Sequence, residues 1–84
     1  MSTYVVTAAD SALIANVKHD FYSGFTVESE NATHDGLNLS EMRSVIKGLC
    51  KEAGVEEITV EDLDPKYGSK TSGPVSDTLS VIRY

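Results

Sequence analysis

The sequence predicts a single small α+β domain, and three observations lead to that fold class. The first is one strong amphipathic helix in the middle of the chain, from Asn38 to Gly54. The second is a set of short segments on both sides of it that are rich in β-branched and aromatic residues. The third is size, because 84 residues suffice for one modest hydrophobic core. We therefore expect residues 1–84 to form a sheet of about four strands with one or two helices on one face.

The central helix has clear start and stop signals. Asn38 is a favourable N-cap residue, and Glu41 three positions later completes a capping-box spacing. Gly54 is a typical left-handed stop, after which Val55 can fold back onto the last turn. Gly48 is the weak position, because glycine inside a helix costs about 1 kcal/mol relative to alanine. Apolar residues recur every three or four positions and form a stripe expected to face the core: Leu39, Met42, Val45, Ile46, Leu49, Cys50 and Ala53.

Four other segments are predicted to be strands, and one is predicted to be a turn. Thr3 to Ala8 and Phe25 to Glu30 alternate apolar and polar residues before the helix, and the polar segment Asn31 to Gly36 is predicted to be a turn. After the helix, Glu56 to Leu63 alternates in the same way, and the proline at position 65 ends that strand. Thr78 to Tyr84 is predicted to be a final strand that runs to the last residue.

The segment from Ala12 to Tyr22 is ambiguous between helix and strand. As a helix it presents an apolar stripe that ends at Phe21, whereas as a strand its apolar residues alternate almost as well. Its alanines favour the helix, so the predicted order is β-α-β-α-β-β. The alternative is a mainly antiparallel sheet with one helix packed across it.

Composition limits the possible functions. The chain has 13 acidic and 7 basic residues, for a net charge of -6. This excess disfavours direct nucleic-acid binding and docking on anionic membranes, both of which need clustered lysine and arginine. It permits binding to a protein with a basic surface. No signal peptide or membrane-spanning stretch is visible, so we expect a cytoplasmic protein.

No motif for catalysis, cofactor binding or metal binding is complete. Gly68 to Thr71 matches only the end of a phosphate-binding loop, because the glycines that the motif needs are missing. A calcium loop that began at Asp62 would hold Lys66 at a ligand position. Cys50, the only cysteine, lies on the helix stripe and is predicted to be an inert core residue. We therefore predict neither an enzyme nor a cofactor or metal site.

The most uneven feature is a run of acidic residues between Glu52 and Asp64 that contains no lysine or arginine. One interpretation is a solvated strand edge whose charges discourage aggregation. The other is a contact surface for a basic partner, which Glu28 and Glu30 extend if their strand lies on the same side. The predicted partner-binding residues are Glu56, Glu57, Glu61, Asp62 and Asp64.

Three function hypotheses follow. The favoured one is a small interaction protein that binds a basic protein surface, and its specific form is an inhibitor of a nucleic-acid-handling protein. In size and charge the chain resembles the short acidic proteins that phages deploy against host defences. The second is a structural or self-associating subunit of a larger assembly, which predicts a homo-oligomer. The third is a small-ligand binder or enzyme that uses the long loop 64–77, with Lys66, Tyr67 and Lys70 as a lid.

Overall fold

The computed structural model describes residues 2–63 and 69–83, which form one compact α+β domain. Six strands make a single sheet in the order β4-β3-β2-β1-β5-β6, and every neighbouring pair is antiparallel. The chain order is β1 (Ser2–Ala8), β2 (Leu13–Asp20), β3 (Gly24–Glu28), β4 (Thr33–Leu37), α1 (Leu39–Glu52), β5 (Glu57–Asp62), β6 (Lys70–Pro74) and α2 (Val75–Leu79). None of the helices in these two ranges is long and apolar enough to cross a membrane.

Both helices pack on one face of the sheet and leave the other face open. α1 contacts β2, β3 and β4, whereas α2 contacts β5, β6 and α1. Strand residues alternate between these faces, so every second side chain enters the core. The buried core consists of Tyr4, Val6, Ala8, Ala15, Val17, Phe25, Val27, Met42, Ile46, Cys50, Ile58, Val60, Leu79 and Ile82.

The structure confirms the predicted N-terminus of α1. The Asn38 side chain accepts a hydrogen bond from the backbone N–H of Glu41 at 2.8 Å, and the Glu41 carboxylate accepts from the backbone N–H of Asn38 at 3.0 Å. These reciprocal bonds form a capping box and satisfy two backbone donors at the start of the helix. Of the predicted stripe, Met42, Ile46 and Cys50 are buried.

The C-terminus of α1 also follows its sequence signals. Gly54 has a positive φ of 68°, and the backbone N–H of Val55 donates to the carbonyl of Cys50 at 2.8 Å. This is the Schellman arrangement, which satisfies carbonyls that the last turn leaves unpaired. Ala53, which we placed on the stripe, is exposed because it lies at the cap beyond the last helical residue.

The predicted helix from Ala12 to Tyr22 is wrong, and the alternative interpretation as a strand is correct. The Asp10 carboxylate accepts from the backbone N–H of Ala12 at 3.0 Å, and Ser11 has a φ of 68°, so the chain turns before β2. β2 then lies between β1 and β3 and hydrogen-bonds to both. Hydrogen bonds to two neighbouring strands stabilise β2 more than the weak helix propensity of its alanines would stabilise a helix. Tertiary contacts therefore decide the structure of this segment.

The segment Asn31 to Gly36, predicted to be a turn, is mostly the edge strand β4. The turn itself comes earlier, where the backbone N–H of Ser29 donates to the carbonyl of Ala32 at 2.8 Å. Four of the five residues of β4 are exposed, because the strand lies at the end of the sheet and contributes little to the core. Such a strand has no apolar alternation, so the sequence carried no signal for it.

The final strand predicted over Thr78 to Tyr84 is also wrong. The short helix α2 ends at Leu79 instead, and turns continue from it to Ile82. Thr78, Leu79 and Ile82 are buried in the core. The guanidinium of Arg43 on α1 donates to the carbonyl of Ile82 at 3.3 Å and holds the C-terminal segment. Tyr84 lies outside the described residues.

The loop predicted over residues 64–77 is shorter than expected. Lys70–Pro74 form β6, which pairs with β5, and α2 begins at Val75. Lys66 and Tyr67, two residues of the hypothetical lid, lie outside the described residues. Lys70, the third, is the first residue of β6, where a ladder position fixes its backbone.

Candidate protein-interaction surface

The structure distributes the predicted partner-binding residues along β5 instead of gathering them. Glu57 and Glu61 are both exposed and share the open face of the sheet, where four residue steps along the strand separate them by about 13 Å. Glu56 is exposed in the turn just before the strand, whereas Asp62 is half-buried and its position alternates to the other face. Asp64 lies outside the described residues.

Glu56 and Glu57 meet a third carboxylate at one end of the sheet. Ala8 at the end of β1 pairs with Ile58 near the start of β5, so the turns beyond these residues lie side by side. One turn carries Asp10 and the other carries Glu56 and Glu57, and all three line the same surface hollow.

Two further carboxylates lie on the adjoining hollow. Glu52 comes from the last turn of α1, and Glu30 comes from the turn between β3 and β4. Ala53, just after α1, lines both hollows and therefore connects the two groups. We call this surface the acidic end and define it by five residues: Asp10, Glu30, Glu52, Glu56 and Glu57.

The electrostatics of the acidic end leave its charge largely uncompensated. None of its five carboxylates forms an ion pair within residues 2–63 and 69–83. The backbone carbonyls at the C-terminus of α1 add partial negative charge at the same place. Lys47 and Lys51 of α1 line a neighbouring hollow together with Glu56, and these two lysines oppose part of this charge. Such a surface can accept hydrogen bonds from lysine and arginine side chains and attract a basic partner over a distance.

Glu28 and Glu30, the predicted extension of the acidic contact surface, lie on two different surfaces of the protein. Glu30 belongs to the acidic end, whereas Glu28 lies on the open face in the same cross-strand row as Glu61. Lys18 pairs with the Glu28 carboxylate at 3.0 Å. Glu28 therefore contributes less uncompensated charge than Glu30 does.

The sequence did not predict Asp10 or any feature of the hairpin between β2 and β3. Phe21 and Tyr22 at the tip of this hairpin are 87% and 94% exposed, and their rings meet edge to face at 5.4 Å. The Asp20 carboxylate accepts from the backbone N–H of Tyr22 at 2.8 Å and shapes the turn. The signal available in the sequence was a turn-forming Asp20 four residues before Gly24.

The thiol of Cys50 lies in the hydrophobic core. Cys50 is only 1% exposed, and burial raises the pKa of its thiol above the ordinary value. A thiol with a raised pKa holds less of the reactive thiolate at neutral pH. Within residues 2–63 and 69–83, no three histidine, cysteine or acidic side chains are placed to hold a metal ion.

Comparison of the chain with known proteins found no match. The chain matches no protein-family model, no curated protein and no solved structure. The function proposed below therefore depends on the position and charge of the residues described here.

Proposed function

We propose that this protein binds a basic surface on another protein through its acidic end. The observation that carries the proposal is the convergence of five carboxylates from four separate segments, none of them ion-paired with a described residue. Like charges held together cost stability, and a cationic partner relieves that cost. Of the residues predicted from the sequence, Glu56 and Glu57 belong to this contact, whereas Glu61 lies about 13 Å farther along β5 and Asp62 alternates to the other face.

Such a surface gives fast association with a basic partner and selectivity against acidic proteins. Clustered carboxylates steer a basic partner during diffusion, which raises the association rate, and repel acidic proteins. Exposed ion pairs contribute only about 0.2–1 kcal/mol each, so several must act together. We therefore expect binding that weakens steeply as salt concentration rises.

The specific form of the proposal is inhibition of a nucleic-acid-handling protein. Surfaces rich in lysine and arginine serve to bind phosphates. A rigid group of carboxylates can occupy such a surface and exclude the nucleic acid. This form predicts that the partner releases bound DNA or RNA when the acidic protein is added.

The proposal is tested by capture from a lysate of the source cell or its host with tagged wild-type protein, Glu57→Lys and Asp35→Lys. Asp35 is an exposed carboxylate on β4 that does not line the acidic end, so its variant is a matched charge control. We expect wild type and Asp35→Lys to retain the same basic protein at low salt.

For the captured protein we expect Glu57→Lys to weaken binding by about tenfold, mainly through a slower association rate. Equal binding by all three proteins would contradict the proposal, as would equal loss in both variants. Binding that is unaffected by salt would also contradict it, because the proposed contact is electrostatic.

A further inference from the structure

The open face of the sheet carries charges in a regular pattern. Strand register places five residues in one row across the sheet, with one residue on each of the strands β3, β2, β1, β5 and β6. Since cross-strand partners share a face, these side chains all lie on the side that neither helix covers. In order across the sheet the row is Glu28, Asn16, Val5, Glu61 and Lys70.

This row has opposite charges at its two ends and Val5 at its centre. Glu28 lies two strands from Val5 on one side, and Lys70 lies two strands from it on the other. In the next row Lys18 lies on the Glu28 side of β1. Leu63, which is 48% exposed, lies on the Lys70 side, where its backbone N–H donates to the carbonyl of the β1 residue Thr3.

We infer that a second copy of this chain packs on the open face, related by a two-fold axis that runs parallel to β1 in front of Val5. This axis places each strand opposite the partner strand that is equally far from β1 but on its other side. β3 therefore faces the partner's β6, and β2 faces the partner's β5. Glu28 of each copy then faces Lys70 of its partner. The Asn16 amide faces the partner's Glu61 carboxylate, and the two Val5 side chains meet at the centre.

The second row supports the same arrangement. The axis brings Lys18 opposite Leu63 of the partner, where its aliphatic stem covers the exposed leucine. The ammonium group of Lys18, which pairs with Glu28 of its own chain at 3.0 Å, then also lies near the partner's Glu61, one row away. Each carboxylate in the two rows therefore has a cation or an amide donor on the opposite copy.

The dimensions of the face suit a stable dimer. Six strands at about 4.8 Å spacing give a face roughly 24 Å wide, in a domain of 33 × 27 × 20 Å. A face of this size can bury close to the roughly 800 Å² per partner of a standard interface. Aligned sheets pack about 10 Å apart with strands within about 30°, a gap that glutamate and lysine side chains can span from both sides.

Charge also favours a second copy over other occupants. The two rows contain two lysines, Lys18 and Lys70, and two glutamates, Glu28 and Glu61, so they are neutral although the chain carries -6. Nucleic acid and anionic membranes therefore find no net positive charge here, and a basic protein finds no net negative charge. This inference is independent of the proposed function, because the two rows contain no residue of the acidic end. Glu57, which is on the open face, lies two rows from Glu61 on the side away from Lys18.

The test is sedimentation equilibrium of purified wild type and two charge-reversed variants, Glu28→Lys and Lys70→Glu. We expect wild type to be dimeric, and each variant alone to raise the dimer dissociation constant at least about tenfold, because each homodimer then contains two like-charge pairs. Asp35→Lys makes the same charge change as Glu28→Lys but away from the two rows, and it should leave the dimer intact. Circular dichroism of each variant confirms that it is folded.

Mixing the two variants gives the deciding result. A Glu28→Lys chain opposite a Lys70→Glu chain restores opposite charges at both contacts, so the mixture should form heterodimers although neither variant dimerises alone. Three outcomes would overturn the inference: a wild type that stays monomeric up to about 100 µM, a dimer that tolerates both single reversals, or a mixture that stays monomeric.

Discussion

Gly24 lies directly against the backbone carbonyl of Leu37, so that a Cβ atom at position 24 would come within 2.7 Å of that oxygen. Gly24 begins β3 with a positive φ of 78°, and Leu37 ends β4. The absence of a side chain at Gly24 therefore lets the edge strand approach its neighbour closely, just before α1 begins. Side chains cannot enter this space without moving the backbone of Leu37.

We expect Gly24→Ala to lower the free energy of unfolding by about 2–4 kcal/mol, because the substitution adds both a steric clash and a strained backbone. Urea denaturation measures this loss. Gly36→Ala is the matched control, since Gly36 also has a positive φ, of 65°, but a Cβ atom added there would have no neighbour within 4 Å. Its expected loss is only about 1 kcal/mol. Equal losses in the two variants would show that the contact with Leu37 is unimportant.

Substitution of Gly48 by alanine is expected to stabilise the protein, in contrast to Gly24→Ala. Gly48 lies inside α1, and apart from its chain neighbours and the helix's own backbone no atom would lie within 4 Å of a Cβ at this position, so no neighbouring element requires a glycine. We expect Gly48→Ala to raise the free energy of unfolding by about 0.5–1 kcal/mol through better helix propensity. Thermal unfolding followed by circular dichroism checks this result. A lower melting temperature would indicate that position 48 has a function that the described contacts do not explain.

The two phenylalanines of the β2–β3 hairpin differ sharply in burial. Phe25 is fully buried, whereas Phe21 is exposed at the tip. We expect Phe25→Ala to lose about 3–5 kcal/mol of folding free energy and Phe21→Ser to stay within about 0.5 kcal/mol of wild type. Denaturant titrations of both variants provide the comparison, and a large loss from Phe21→Ser would contradict the exposed hairpin tip.

Burial of Cys50 links folding stability to alkaline pH. The pKa of this thiol is raised in the folded state, so in the range above its ordinary pKa the unfolded chain loses a proton that the native protein keeps. Stability is therefore complete below that range and falls as pH rises through the native pKa. We expect the difference in unfolding free energy between wild type and Cys50→Ala to be flat at neutral pH and to shrink at alkaline pH. A difference that grows with pH would contradict the raised pKa.

The parts of the fold that the sequence predicts correctly are those whose signals are local. The cap at Asn38, the stop at Gly54 and the apolar stripe between them fix α1 without reference to the rest of the chain. β2 could not be assigned in this way, because its choice of strand over helix depends on hydrogen bonds to β1 and β3. α2 was missed because a short run of apolar residues fits both a strand and a helical turn.

The acidic end likewise combines residues that are neighbours in the sequence with residues that only the fold brings together. Glu56 and Glu57 are neighbours in sequence, and their place on one exposed segment was predicted. Asp10 and Glu30 join them only through the strand register, which no local pattern specifies. The row from Glu28 to Lys70 likewise exists only in the folded sheet.

The position of β1 inside the sheet also affects how the protein folds while it is being synthesised. β1 through β4 can pair as soon as they are synthesised, since β2, β3 and β4 each contact the strand that precedes them. The other edge of β1 must wait for β5, whose Asp62 pairs with Tyr4 near the opposite end of the chain. Until then the nascent protein exposes an unpaired strand edge, which is a site for aggregation. A pause in translation before β5 is therefore expected to lower the yield of folded protein more than a pause after it.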